Sequence, residues 1–146
     1  MIASAATKCT SVRFADTNVL LYAVSTDPAE RVKAERADEL LAGRDLALSV
    51  QVLQEFYVQA TRLSRPDAIS HQDAADLVAS FRRFPVAPLT ADLVSDAMAT
   101  CARFQISYWD AAIIEAARSL SCETVLSEDL NDGQDYGGVR VENPFR

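Results

Sequence analysis

Apolar residues fall along the chain in short blocks, and the spacing within each block predicts an element. Val12 to Ala15 reads as a short strand closed by the turn and cap residues Asp16, Thr17 and Asn18. The run Val19 to Val24 fits strand or buried helix by pattern alone; directly after a strand ending in Asp it reads as helix. Asp27-Pro28 has the form of a cap followed by Pro at the first helical position, and Val32, Leu40 and Leu41 with Ala34 and Ala37 predict a charged surface helix that Gly43 stops. Leu46 to Leu48 is a second strand. Ser49 then caps a helix with Val52, Leu53, Phe56, Ala60 and Leu63 on one stripe, broken by Arg65-Pro66. A further helix is expected from about Ser70 to Arg83. Phe84 to Leu89 is a third strand, whose two prolines indicate an edge position or a very short pairing. Thr90 caps a helix to about Phe104, and Ser107 to Leu120 is the clearest helix in the chain. Thr124 to Leu126 and Val139 to Val141 are the last strands, separated by the polar loop Ser127 to Gly138.

Strands alternating with helices at this spacing predict βαβ units, hence an α/β fold with a mainly parallel sheet of four to five strands and helices on both faces. The 146 residues contain no internal repeat or linker, so they read as one domain from 12 to 146, preceded by an N-terminal extension over 1–11 expected to be poorly ordered. In that extension Lys8 follows the apolar stretch, the wrong order for a signal peptide. No apolar run approaches the ~18 residues of a membrane span. Cys9, Cys101 and Cys122, an odd number without CxxC spacing, read as reduced thiols of a cytoplasmic protein.

Composition narrows the chemistry. With 49 % apolar residues the chain can bury a core unaided. Its 14 basic and 21 acidic residues give a net charge of −7, against binding nucleic acid through a general basic surface. A cation between acid and phosphate would still admit nucleic acid as a substrate. A single histidine, His71, excludes paired-imidazole sites, and four glycines, three of them within 133–138, leave no phosphate-cradling loop. The available chemistry is that of carboxylates.

In parallel sheets ligands bind outside the carboxyl ends of the strands. Asp16 closes the first strand and Asp129 follows the fourth. Glu55 lies on the helix after the second strand, and Asp110 in the first turn of the Ser107 helix. Singly, each has an ordinary structural reading: a turn cap, a solvated flank, part of a capping box with Ser107, the start of a polar loop. Together they can point into one crevice. Four converging carboxylates need a counter-charge to stay ionised, and a divalent cation with oxygen ligands, Mg²⁺ or Mn²⁺, suits a site without histidine or thiolate.

These residues also resemble the motifs of the PIN domain family. Phe14-Ala-Asp16-Thr-Asn18-Val-Leu-Leu-Tyr22 is similar to its opening strand and turn, and Val52-Leu-Gln-Glu55-Phe-Tyr57 to its second acidic motif. Tyr108-Trp-Asp110-Ala-Ala-Ile-Ile114 resembles the third, Val125-Leu-Ser127-Glu-Asp129 the fourth, and Val139 to Phe145 the family's C-terminal end. Within the family the similarity is to bacterial VapC-type toxins, the ribonuclease half of a toxin–antitoxin pair. The resemblance implies a PIN-like three-layer sandwich. It implies that Asp16, Glu55, Asp110 and Asp129 form a metal-binding quartet supported by Asn18 and Ser127. It also implies hydrolysis of structured cellular RNA, such as tRNA or rRNA, by a metal-activated water that leaves 5′-phosphate and 3′-hydroxyl ends. The spacing Ser127-x-Asp129 matches the family pattern, which selects Asp129 and leaves Glu128 to solvent. Glu115, about 140° round the helix from Asp110, reads as a solvated charge.

RNA as substrate asks for local phosphate-steering cations, for which Arg62, Arg65, Arg82 and Arg83 are the candidates, against their reading as solvated helix ends. The resemblance further implies a homodimer and a cognate antitoxin that places an arginine in the acidic crevice. Val32, Leu40, Phe56 and Tyr57 are candidates for its apolar groove, with core packing the preferred role for Phe56. A phosphotransfer receiver is disfavoured because the only lysines are Lys8 and Lys33. A haloacid-dehalogenase-like phosphatase is disfavoured because Asn18 stands where a second Asp is needed. The competing reading is an inactive or housekeeping PIN-domain protein acting as an acidic partner-binding module.

Overall fold

A computed structural model describes residues 11–146; the expected extension over 1–11, Cys9 included, falls almost wholly outside them. Five strands form one parallel sheet in the order β3-β2-β1-β4-β5: β1 (Arg13–Ala15), β2 (Leu46–Ser49), β3 (Val86–Ala87), β4 (Thr124–Leu126) and β5 (Arg140–Glu142). The connections carry α1 (Thr17–Ala23), a 3-10 turn (Pro28–Glu30), α2 (Arg31–Ala42), α3 (Val50–Ala60), α4 (His71–Phe81), α5 (Ala91–Phe104) and α6 (Tyr108–Ser119).

From β1 the chain steps outward through β2 to β3, then crosses back to β4 on the other side of β1. Right-handed crossovers therefore place α1–α4 on one face of the sheet and α5–α6 on the other, which makes three layers. The middle layer is dry: Phe14, Ala15, Leu46, Ala47, Leu48, Val125 and Leu126 are fully buried, as strands covered on both faces require. The reversal between β1 and β4 is the topological switch point, where the loops leaving adjacent strands diverge and open a crevice.

Five helices start as the cap residues predict: Asp16, Ser49, Ser70, Thr90 and Ser107 each accept a backbone N–H from the first turn of the helix that follows. Elsewhere the structure corrects the pattern. Asp27 caps only the 3-10 turn, and α2 starts at Arg31 with no side-chain cap. The third strand shrinks to Val86–Ala87 at the sheet edge, because Pro85 and Pro88 cannot donate to a ladder. Leu63 does not extend the α3 stripe: the helix ends at Ala60, and Leu63 lies beyond it, 96 % exposed. Leu40 and Phe56 belong to the core, while Val32 and Tyr57 are exposed, so these four do not share one groove. Glu115 is buried rather than solvated, accepting from Thr100 Oγ1 at 2.7 Å and Arg118 Nε at 3.0 Å. Among the described residues no helix is long and apolar enough to cross a membrane.

Candidate active site

The crevice at the switch point is lined by Asp16, Glu55, Asp110 and Asp129 together with Thr17, Asn18, Leu21, Gln51, Gln59, Trp109 and Ile113. All four carboxylates expected from the sequence meet there, and among the described residues no lysine or arginine lines the crevice.

Each acid is placed by backbone geometry. Asp16 leaves β1 with its N–H on Leu126 O at 3.0 Å, which ties it across the switch point to β4. Its Oδ1 accepts Thr17 N at 2.7 Å, and its Oδ2 accepts the Ser127 hydroxyl at 2.8 Å. Ser127 is fully buried, and its Oγ in turn accepts Asp129 N at 3.1 Å and Asn18 Nδ2 at 3.3 Å. Asn18 also donates to Asp129 Oδ2 at 3.2 Å and accepts Glu128 N at 3.3 Å. Asn18 and Ser127 thus stitch the loop after β4 to the start of α1. Glu55, midway along α3, accepts the Thr17 hydroxyl at 2.7 Å. Asp110 sits in the first turn of α6, its N–H on the Ser107 cap at 3.0 Å and its carboxylate facing the crevice.

The electrostatics follow from that placement. Burial pushes the Asp16 carboxyl up to about 6; the Ser127 and Thr17 hydrogen bonds work against this, and the charges of Asp129 and Glu55 add to it. A carboxylate so raised, among three others and without a local base, lacks positive charge. Hard oxygen donors of this kind fit Mg²⁺ or Mn²⁺. Among the described residues, however, no three His, Cys, Asp or Glu side chains are gathered to hold a metal as they stand. Three of the acids, Asp16, Glu55 and Asp129, are held by Ser127, Thr17 and Asn18, so the donor set fits a divalent ion in chemistry although its carboxylates are not drawn together around one point.

Glu128 does not point to solvent. It accepts from Lys33 Nζ and Tyr22 Oη, both at 2.5 Å. Burial raises the Glu128 carboxyl, but the bonds from Lys33 and Tyr22 outweigh it and hold it below its ordinary value. Asp129, not Glu128, therefore faces the crevice.

The four arginines are dispersed. Arg65 pairs with Asp67 at 2.8 Å, and Arg83 donates to Ser80 O and Leu41 O. Arg62 and Arg82 are exposed, and none of the four lines the crevice. Thr17, Gln51, Gln59 and Trp109 are site residues that the sequence analysis did not single out. The signal for the glutamines was available, since positions 51, 55 and 59 are four apart and share one helix face.

The PIN domain family model matches residues 13–131. Among solved structures, a toxin–antitoxin complex from Klebsiella pneumoniae is 19% identical, with 92% of this chain and 98% of that one covered at a TM-score of 0.65. Mycobacterium tuberculosis VapC20, described as a sarcin–ricin loop cleaving toxin, is 23% identical over 80% of this chain and 91% of that one, at a TM-score of 0.61. VapBC2 from Rickettsia felis, bound to a DNA fragment from its promoter, is 17% identical over 90% and 98%, at 0.63. At these identities the likeness establishes the fold. No curated protein matches the chain.

Proposed function

The chain belongs to the PIN domain family, and from that premise we propose that it is a divalent-metal-dependent endoribonuclease, the toxin of a toxin–antitoxin pair. The observation that carries the reading is the crevice itself: four carboxylates, one raised to about 6, with no basic side chain among the described residues that line the site. Such an arrangement raises the energy of the metal-free protein and has a natural occupant in a cation.

Asp16, Glu55, Asp110 and Asp129 would hold Mg²⁺, with Mn²⁺ as a substitute. When bound, the ion supplies Lewis-acid stabilisation of phosphate oxygens and acidifies water for in-line attack on the phosphodiester. The chain's own groups prepare that chemistry. Ser127 and Thr17 N–H fix the two oxygens of Asp16, Asn18 fixes Asp129, and the Thr17 hydroxyl fixes Glu55. Among the described residues, no histidine, cysteine or lysine lines the crevice to serve as a covalent nucleophile. RNA as substrate, tRNA or rRNA in particular, is the family expectation. It gains support from the fold shared with a sarcin–ricin loop cleaving toxin.

A cognate antitoxin, a homodimer and a cytoplasmic site of action belong to the same reading; the antitoxin gains support from the fold shared with the Klebsiella toxin–antitoxin complex. An antitoxin arginine in the crevice would pair bidentately with these carboxylates and compete with the ion. Residues 12–146 would be the functional domain, and 1–11 an extension preceding it. The test is cleavage of total cellular RNA by the purified protein, followed by sequencing of the new ends. Cutting in Mg²⁺ or Mn²⁺ that chelation stops, with 5′-phosphate ends and loss in Asp16→Asn, supports the proposal. Cutting that survives chelation, or that persists in Asp16→Asn, overturns it.

A further inference from the structure

Trp109 is the only tryptophan in the chain, and it is 65 % exposed. It lies one residue before Asp110 and is, among the described residues, the one aromatic side chain lining the carboxylate crevice. Two contacts fix its position. Gln51 Nε2 donates to Trp109 O at 3.3 Å, holding the start of α6 against the start of α3. The Tyr108 ring meets the indole edge-on, with centroids 5.1 Å apart and planes at 84°. The indole is therefore braced by a half-buried neighbour, yet mostly open to solvent.

The crevice measures about 130 Å³. The crevice is open to solvent, and at its exposed rim the flat group that a base next to the scissile phosphate can meet is Trp109. The nearby amides of Gln51 and Gln59, both crevice-lining, can meet the polar edge of such a base.

Resting on the nuclease reading above, we propose that Trp109 is a stacking platform for an unpaired nucleobase beside the cleaved phosphodiester, so that the site takes RNA whose target nucleotide is unstacked. Stacking on an aromatic side chain tolerates any base and needs the base out of its helix. That selects loops and single strands over continuous duplex, with no basic surface required for the discrimination. A pre-oriented indole loses little freedom on binding, which makes the contact effective.

Cleavage and fluorescence test this separately. Trp109→Ala is expected to raise KM for a single-stranded RNA by about tenfold, with kcat within twofold, an unchanged melting temperature and most of the loss recovered in Trp109→Phe. With Mg²⁺ and a phosphorothioate-linked single-stranded RNA as probe, the emission of Trp109 is expected to be quenched, and the same strand in duplex form to leave it unchanged. An unchanged KM in Trp109→Ala, or equal quenching by strand and duplex, overturns the stacking role while leaving the wild-type cleavage assay to judge the nuclease reading. Emission already shielded from acrylamide and dependent on protein concentration also overturns it, since Trp109 would then be covered by a second copy. If wild-type protein cuts no RNA, the nuclease reading fails; quenching by the single strand alone would still support stacking, and its absence would remove both.

Discussion

Two buried acids, Asp16 at 8 % exposure and Glu115 at 7 %, are held in opposite ways. Glu115 lies on α6 against α5 and has a cation. Arg118 donates to it and also to Tyr136 O and Gly137 O, so the pair staples the loop before β5 onto the helix layer. Asp16 lies at the switch point among three more carboxylates and is given only a hydroxyl and a backbone N–H. The fold thus supplies a counter-charge where a buried acid serves packing and withholds one at the crevice. A carboxylate cluster left short of positive charge is a mark of function rather than of stability.

The first way to break the contrast is to neutralise each acid group and read activity. Asp110→Asn should lower RNA cleavage at least about 100-fold, the scale on which even outer partners of a bound metal act, with little change in melting temperature. Glu115→Ala should do the reverse, leaving cleavage per folded molecule unchanged. It removes the partner of a half-buried Arg118, and urea unfolding should show a loss of about 3 kcal/mol. If Glu115→Ala also abolishes cleavage without unfolding, the two regions are not separable.

The pH dependence sharpens the same contrast. Asp16 is raised from 3.8 to about 6 in the folded protein, so between those values the folded state holds a proton that the unfolded chain has lost. This group's contribution to stability is therefore favourable to folding below about pH 4 and declines as pH rises through about 6. Without metal, Asp16→Asn should be more stable than wild type at neutral pH by about 3 kcal/mol, and the difference should largely vanish near pH 4. Thermal melts in a chelator at both pH values measure it; a difference that grows on acidification contradicts the assignment. The smallest effect concerns the pair bordering the site. Lys33→Met removes the partly exposed bond to Glu128 and should cost no more than about 1 kcal/mol in urea unfolding.

Most of the architecture was legible because its signals are local. Asp16, Ser49, Ser70, Thr90 and Ser107 announce their helices through cap chemistry that acts within four residues, and the covered strands read as unbroken apolar runs. What the sequence misplaced depends on partners far along the chain. Glu115 looked solvated because its Thr100 partner is fifteen positions away on another helix, and Glu128 because Lys33 comes from α2. Leu63 sits at a periodic position, but the helix had already ended. The four acids were legible as a set because Asp16 and Asp129 follow strands whose ends face one crevice, and Glu55 and Asp110 lie on helices that border it. Their tethering by Thr17, Asn18 and Ser127 was not, since it depends on the register between β1 and β4.

The most direct test of the central claim is Mn²⁺ binding to the full-length, RNA-free protein at neutral pH, followed by electron paramagnetic resonance. Wild type and Glu115→Ala should bind the ion equally, and Asp110→Asn at least about tenfold more weakly. Binding that is absent from wild type, or indifferent to Asp110→Asn, would contradict the claim that the crevice is short of positive charge in order to take up a cation.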